Sequence, residues 1–231
     1  MIIPQINIAM LIDCDNVSAK YIDSIINDLS KYGTINIRNA YGNWKDKRLQ
    51  GWEDVLHKYN IKPIQQFAYT KGKNASDIAM VIDIMDLLYT RNLGALALVT
   101  SDSDFTPVVS RILSNGITVY GYGEEKTPES FVNACSQFIY VEKLFDYTKE
   151  EDTASINSNH KLTKVQLRKD TKLVALLRKA AEQTSDDSGW SNIAAVGLYI
   201  NQNSSFSPIN YGYKKLGELI KATELFDVRI L

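Results

Sequence analysis

Ala9-Met10-Leu11-Ile12-Asp13-Cys14-Asp15-Asn16 is an apolar run that stops at acids, and Leu96-Ala97-Leu98-Val99-Thr100-Ser101-Asp102-Ser103-Asp104 repeats the design later in the chain. Short, continuously apolar runs bounded by polar residues fit strands buried on both faces, as in a parallel sheet. Between them Asp77 opens a long apolar stretch. Carboxylates gathered at one sheet edge repel each other, and a fold tolerates them when a divalent cation sits among them. Hard ions such as Mg²⁺ or Mn²⁺ prefer such oxygen ligands. An ion held there activates water and stabilises a phosphoryl oxyanion. The pattern points to metal-dependent cleavage of a phosphodiester.

Working outward, residues 6–12 read as a strand and Ala19 to Tyr32 as a helix, with Ile22, Ile25, Ile26 and Leu29 at helical spacing and Gly33 beyond its end. Thr34 to Tyr41 alternates like a strand, Asp46 to Tyr59 is a weaker helix, and Ile61 to Ala68 a strand interrupted near Pro63. Ala75 to Thr90 is a helix apolar around much of its girth, Ala95 to Val99 a strand, Thr106 to Asn115 a helix closed by Gly116, and Ile117 to Tyr120 a strand. Pro128 to Cys135 reads as a helix with proline in a favoured first-turn position, and Phe138 to Tyr140 as a last short strand. Alternating strands and helices imply an α/β fold, a mainly parallel sheet with helices on both faces. Ligands bind such sheets beyond the carboxyl ends of the strands, at the point where the strand order reverses.

The 231 residues suffice for one large or two small domains, and 45% apolar with 23% charged residues is an ordinary globular balance. A net charge of −1 argues against indiscriminate binding of polyanions by the whole molecule. The charge is uneven: residues 1–150 hold 15 basic and 18 acidic side chains, residues 161–231 hold 11 and 7. Acid thus lies with the expected metal site and base with the tail. Cys14, between two site acids, and Cys135 do not suggest a structural disulfide. With His57 and His160 they make no recognisable zinc set. The start lacks the features of a signal peptide and no run reaches transmembrane length, so a cytoplasmic protein without membrane association is expected.

Residues 148–163 are polar and rich in Ser, Asn and acids, as a linker would be. The expected division is residues 1–147, the linker, and a small domain at 164–231. In that domain Leu173, Leu176, Leu177 and Ala180 give a helix face, a second helix starts near Ser191, and a third spans about Lys214 to Ala222. Phe226 to Leu231 alternates like a terminal strand, giving a winged-helix-like unit.

Each acid has a plainer role open to it. A strand-end aspartate caps a following helix, and Asp104 suits the start of the helix near Phe105. Asp77 is a first-turn acid favoured by the helix dipole. Capping and metal ligation are not exclusive. Asn16 suits the orientation of a phosphate or an acid neighbour, or an Asx turn. Asp15 points opposite to its neighbours by strand alternation and reads as solvated. Lys73 suits a substrate phosphate. Trp44, beside Lys45, Lys47 and Arg48, either stacks on a single strand of nucleic acid or is a half-buried loop residue. Gly121-Tyr122-Gly123 lacks the glycine fingerprint of a dinucleotide site.

Four motifs together carry a resemblance: Leu11-Ile12-Asp13-Cys14-Asp15-Asn16, Lys73-Asn74-Ala75-Ser76-Asp77-Ile78-Ala79, Val99-Thr100-Ser101-Asp102-Ser103-Asp104-Phe105 and Val119-Tyr120-Gly121-Tyr122-Gly123. In order and spacing, residues 6–145 resemble the NYN family of PIN-like (LabA-type) ribonuclease domains. The resemblance implies a Rossmann-like PIN fold and a ribonuclease dependent on Mg²⁺ or Mn²⁺. It makes Asp13, Asp77, Asp102 and Asp104 the acidic ligands and catalytic residues, and Asn16 their polar partner. With Asn16, residues Lys73, Trp44, Ser101 and Ser103 complete the expected substrate contacts. Ser136 stands where many relatives carry a further acid. Gly189-Trp190-Ser191-Asn192-Ile193, the run from Phe206 to Leu216 and Leu225-Phe226-Asp227-Val228 resemble an OST-HTH (LOTUS) domain over about residues 165–231. That resemblance implies a partner, RNA as a single strand or a protein. PIN-like enzymes also pair, so a homodimer is an expectation by analogy. Two other readings stay open: a metal-poor domain that binds RNA or scaffolds an assembly, and an aspartyl-nucleophile phosphatase suggested by the Asp13-Cys14-Asp15 spacing.

Overall fold

A computed structural model of the chain describes residues 6–66, 74–153 and 161–229. It divides into two compact units, residues 1–142 and 143–231. In the first, six strands form one sheet: β1 (Ile6–Asp13), β2 (Gly33–Gly42), β3 (Lys62–Gln65), β4 (Ala95–Val99), β5 (Thr118–Gly123) and β6 (Gln137–Tyr140). Their order is β3-β2-β1-β4-β5-β6. Every neighbouring pair is parallel. The helices between them are α1 (Ile22–Leu29), α2 (Glu53–Lys58), α3 (Ala75–Thr90), α4 (Thr106–Ser114) and α5 (Glu129–Ala134). α6 (Val141–Thr153) comes directly after β6.

The two apolar runs became the central pair of the sheet. Ala9 to Ile12 and Ala95 to Val99 are wholly buried, as strands covered on both faces must be. Register aligns Ile12 with Val99, so Asp13 and Thr100 leave the sheet side by side. The chain order runs outward in opposite senses from β1 and β4, which makes this the switch point where ligands bind. On one face of the sheet, Leu11, Leu96 and Leu98 pack with Tyr41, Met80, Ile84, Phe105, Val109 and Phe138.

Three segments differ from the sequence reading. The helix expected over Asp46 to Tyr59 is a 3-10 turn, Lys47–Trp52, followed by the short α2. Gly51, a poor helix former, lies at the break. The apolar girth of α3 buries Met80 and Ile84 but leaves Ile78, Ile82 and Tyr89 more than half exposed. The segment expected to be linker from Thr148 is helical to Thr153, since Lys149-Glu150-Glu151 are good helix formers despite their polarity. Ser136, where the resemblance leads one to expect a further acid, precedes β6 and accepts the Val119 N–H at 3.0 Å. That is the amino end of the sheet, opposite the edge where Asp13 lies.

The second unit is helical: α7 (Lys164–Lys169), α8 (Thr171–Gln183), α9 (Ile193–Asn203) and α10 (Leu216–Thr223), with a 3-10 turn at Pro208–Tyr211. Leu167, Leu173, Leu177, Val196, Ile200 and Leu219 form its core. Phe226 to Arg229 is not a strand. Phe226 and Val228 pack against this core without a partner strand, so their alternation reports one-sided burial. Ile230 and Leu231 lie outside the described residues. The β structure described in this unit is a single antiparallel bridge, Ser185 with Ser191.

Candidate active site

Asp13 ends β1 and is 1% exposed. Its Oδ2 accepts the Asn16 amide N–H at 2.7 Å and the Thr100 hydroxyl at 2.7 Å. Its Oδ1 accepts the Asp15 N–H at 3.2 Å. Burial pushes the Asp13 carboxyl above its ordinary pKa, against the pull of those hydrogen bonds. The neighbouring Cys14 thiol is pushed well up by burial and by the two flanking acids.

Thr100 joins the two strand ends. Its hydroxyl donates to Asp13 and accepts the Asp102 N–H at 3.1 Å. Asp102, not Asp104, caps the 3-10 turn Ser103–Phe105, accepting the Asp104 N–H at 2.9 Å. Asp104 stands exposed on that turn. Gly123, at the end of β5, makes room for this arrangement. A Cβ there would lie 2.6 Å from the Thr100 carbonyl oxygen and 2.6 Å from the Thr127 hydroxyl.

Asp77 enters from the first turn of α3, half-buried. Burial and then repulsion by Asp13, Asp102, Asp15 and Asp104 push its pKa up to about 6. The charges acting most strongly on it are thus all acids, contributed by the ends of β1 and β4. Asp15 is exposed, as the sequence reading expects, and its Oδ2 accepts the Ser76 hydroxyl at 3.2 Å, tying β1's exit loop to the start of α3.

The expected substrate contacts fare differently. Asn16 is spent on Asp13. Trp44 is half-buried, with its N–H on Gln65 Oε1 at 3.0 Å and its indole N–H on the Ile64 carbonyl at 3.1 Å, so the ring is held at the ends of β2 and β3. Ser101 is buried and accepts the Glu124 N–H at 2.9 Å. It braces β5's exit loop, a correction to its expected role as a substrate contact. Ser103 is half-buried in the capped turn, its carbonyl accepting the Thr106 hydroxyl at 2.6 Å. Lys73 lies outside the described residues. Thr100 and Asp15 were missing from the expected set; Thr100 was legible as the residue that register places opposite Asp13.

The donor set suits a hard cation: several carboxylates, raised pKa values at the two most buried, and mutual repulsion that a cation would relieve. Among the described residues no three acid, imidazole or thiol groups already close around one ion position. Both oxygens of Asp13 accept hydrogen bonds in a buried position, which does not suit an aspartyl nucleophile.

A parallel sheet with acids drawn from two strand ends and a helix start defines a PIN-like domain, and the sequence comparison gives its family. The NYN domain matches residues 7–142, and the OST-HTH/LOTUS domain matches residues 166–230. The chain belongs to the NYN family, whose domains are generally nucleases, and the OST-HTH/LOTUS match follows that domain along the chain. An uncharacterized protein of Methanocaldococcus jannaschii is 31% identical over 122 residues, 51% of this chain and 48% of that protein. The chain therefore spans about half the length of the curated relative it matches. A protein of unknown function from Vibrio parahaemolyticus shares the fold, with a TM-score of 0.50 and 16% identity over 59% of this chain and 93% of its own. Among the described residues no helix is long and apolar enough to cross a membrane.

Proposed function

We propose that this chain is a divalent-metal-dependent ribonuclease that hydrolyses RNA phosphodiester bonds, with its C-terminal module holding the RNA. The observation that supports the reading is that Asp13, Asp102 and Asp77 come from the ends of β1 and β4 and the start of α3 at the switch point of the sheet, with the Thr100 hydroxyl joining Asp13 to Asp102. Asp13, Asp77, Asp102 and Asp104 would hold Mg²⁺ or Mn²⁺, whose contribution is Lewis-acid activation of water and neutralisation of charge on the phosphate oxygens. Asn16 and Thr100 fix the Asp13 carboxylate in one rotamer, and the Thr100 hydroxyl couples that orientation to Asp102. Outer partners of this kind hold ligands in register for an ion. Trp44, pinned at the same edge, offers a face for an unstacked base.

The test is cleavage of an end-labelled single-stranded RNA by the purified chain. Activity is expected with Mn²⁺ or Mg²⁺, lost with EDTA, restored by either ion, and absent in Asp13→Asn and Asp102→Asn proteins that keep the wild-type circular dichroism. Full cleavage by either variant would overturn the assignment. Tight RNA binding without turnover under any divalent ion would leave a binding module.

A further inference from the structure

Tyr41 is wholly buried near the carboxyl end of β2, and register sets it beside Asp13. It reaches two acid-bearing segments. Its carbonyl accepts the Cys14 N–H at 3.0 Å and so holds the first residue of the loop after Asp13. Its hydroxyl accepts the Asn39 amide N–H at 3.3 Å and donates to Asp83 Oδ2 at 2.7 Å. Asp83 lies on α3, within two turns of Asp77 and about 9 Å further along the helix axis. The Tyr41 hydroxyl therefore ties α3 to the strand that flanks β1.

The packing of α3 makes that tie matter. Met80 and Ile84 are its wholly buried side chains, while Ile78, Ile82 and Tyr89 are more than half exposed. Met80 and Ile84 pack in one cluster with Leu11 and Tyr41. Apolar contact is non-directional, so it presses the helix onto the sheet and does little to stop it sliding or turning. A hydrogen bond weakens steeply as its length and angle change, so it resists both movements. Asn39 offers the buried hydroxyl a donor, and Asp83 supplies the acceptor that its own proton needs; leaving that proton unpaired away from water is costly. The link from Ser76 to Asp15 at the helix start is exposed and longer, at 3.2 Å. We propose that Tyr41 and Asp83 are positioning residues for the acid site: their bond sets the register of α3 on the sheet and thereby places Asp77 against Asp13 and Asp102. The inference rests on the reading of Asp77 as a metal ligand.

Mn²⁺ affinity of the full chain, measured by calorimetry, reads that placement without turnover. Tyr41→Phe removes the hydroxyl and keeps the ring. Asp83→Ala and Asp83→Asn both remove a charge, but only the Asn amide oxygen can still accept from Tyr41. Affinity should fall about tenfold or more in Tyr41→Phe and in Asp83→Ala, and no further in the double variant, since both break one bond. Asp83→Asn should stay close to the wild type. Asp77→Asn should itself show the loss, and adding Tyr41→Phe should not deepen it. Ile84→Val loosens the packing of the same helix and should leave affinity unchanged, which separates placement from stability. Wild-type affinity in Tyr41→Phe would overturn the positioning role, as would a loss in Ile84→Val or Asp83→Asn equal to that in Asp83→Ala. A deeper loss on adding Tyr41→Phe to Asp77→Asn would overturn the route through Asp77. A wild type that takes up no Mn²⁺ would sink the metal reading and this inference with it. Mn²⁺ uptake without RNA cleavage would sink the nuclease reading alone and leave the affinity comparison decisive.

Discussion

The two units of this chain use the same side chain in opposite ways. In the helical unit each of two aspartates sits among donors. Asp170 caps α8 through the Leu173 N–H at 2.9 Å and accepts the Tyr211 hydroxyl at 3.3 Å. Asp186 takes the Ser188 hydroxyl, the Trp190 N–H and the Ser188 N–H, which together hold its pKa below the ordinary carboxylate value. In the NYN unit Asp13 and Asp77 are pushed the other way, by burial and by each other's neighbours. A carboxylate with local donors stabilises the fold it belongs to. Carboxylates concentrated without a cation oppose folding, and a chain keeps such a cluster for what it binds.

The largest effect that sharpens this contrast is on cleavage. Asp13→Asn keeps the volume and removes the charge. RNA cleavage in Mn²⁺ should fall on the order of a hundred- to a thousandfold or more, while the melting temperature holds or rises, because a buried charge has gone. Asp186→Asn, in the other unit, should leave turnover of a short RNA at the wild-type rate. Next in size is Thr100→Val, close in volume to threonine. It strips Asp13 of a donor and the Asp102 N–H of its acceptor, and should lower metal affinity and cleavage by about 10- to 100-fold. Metal titrations by calorimetry, run beside the kinetics, check both quantities. A Thr100→Val protein with wild-type metal affinity would break the link drawn between the two strand ends.

Much of this was legible in the sequence because burial leaves a strong mark. Ala9 to Ile12 and Ala95 to Val99 read as central parallel strands, and the acids at the end of the first (Asp13) and three residues beyond the second (Asp102) emerge at the ligand-binding edge. Residues in the loop past a strand are harder to read. Asp15 lies beyond the last residue of β1, where alternation no longer assigns a direction, and its hydrogen bond to Ser76 depends on α3 arriving from 61 residues away. Ser101 and Thr100 are adjacent small hydroxyl residues; only the fold decides that Thr100 meets the acid and Ser101 meets Glu124. In the helical unit the alternation of Phe226 and Val228 was real, but it records contact with helices, since period-two burial does not require a neighbouring strand.

Stability against pH separates the units by sign. In metal-free protein the folded-state pKa values of Asp13 and Asp77 lie above their unfolded values, so folding binds protons there. The Asp77 contribution is fully favourable below about pH 4 and is lost as pH rises through about 6, and that of Asp13 is lost in the same direction. For Asp186 the shift is downward, so its contribution is present above about pH 4 and lost as pH falls. Calorimetry in EDTA should therefore show the NYN unit less stable at about pH 8 than at about pH 5, with Asp77→Asn flattening that decline. Saturating Mg²⁺, at about a hundred times its dissociation constant, should add about 2.7 kcal/mol at the higher pH and little to Asp13→Asn.

The smallest effect tests the other half of the contrast. Asp170→Ala removes the side chain that caps α8 and the acceptor of the Tyr211 hydroxyl. A lost N-cap costs about 1 kcal/mol, which in a unit of this size lowers its melting temperature by roughly 4–8 °C. Asp170→Asn, still able to accept the Leu173 N–H, should recover most of that loss. Neither change should alter the rate of cleavage of a short RNA or the response to Mg²⁺. The two units thus predict mirror-image phenotypes for one chemical operation: removing a carboxylate silences activity and spares stability at Asp13, and does the reverse at Asp170. If Asp170→Ala impaired cleavage as severely as Asp13→Asn, acids could not be divided between structure and chemistry by their burial and their like-charged neighbours.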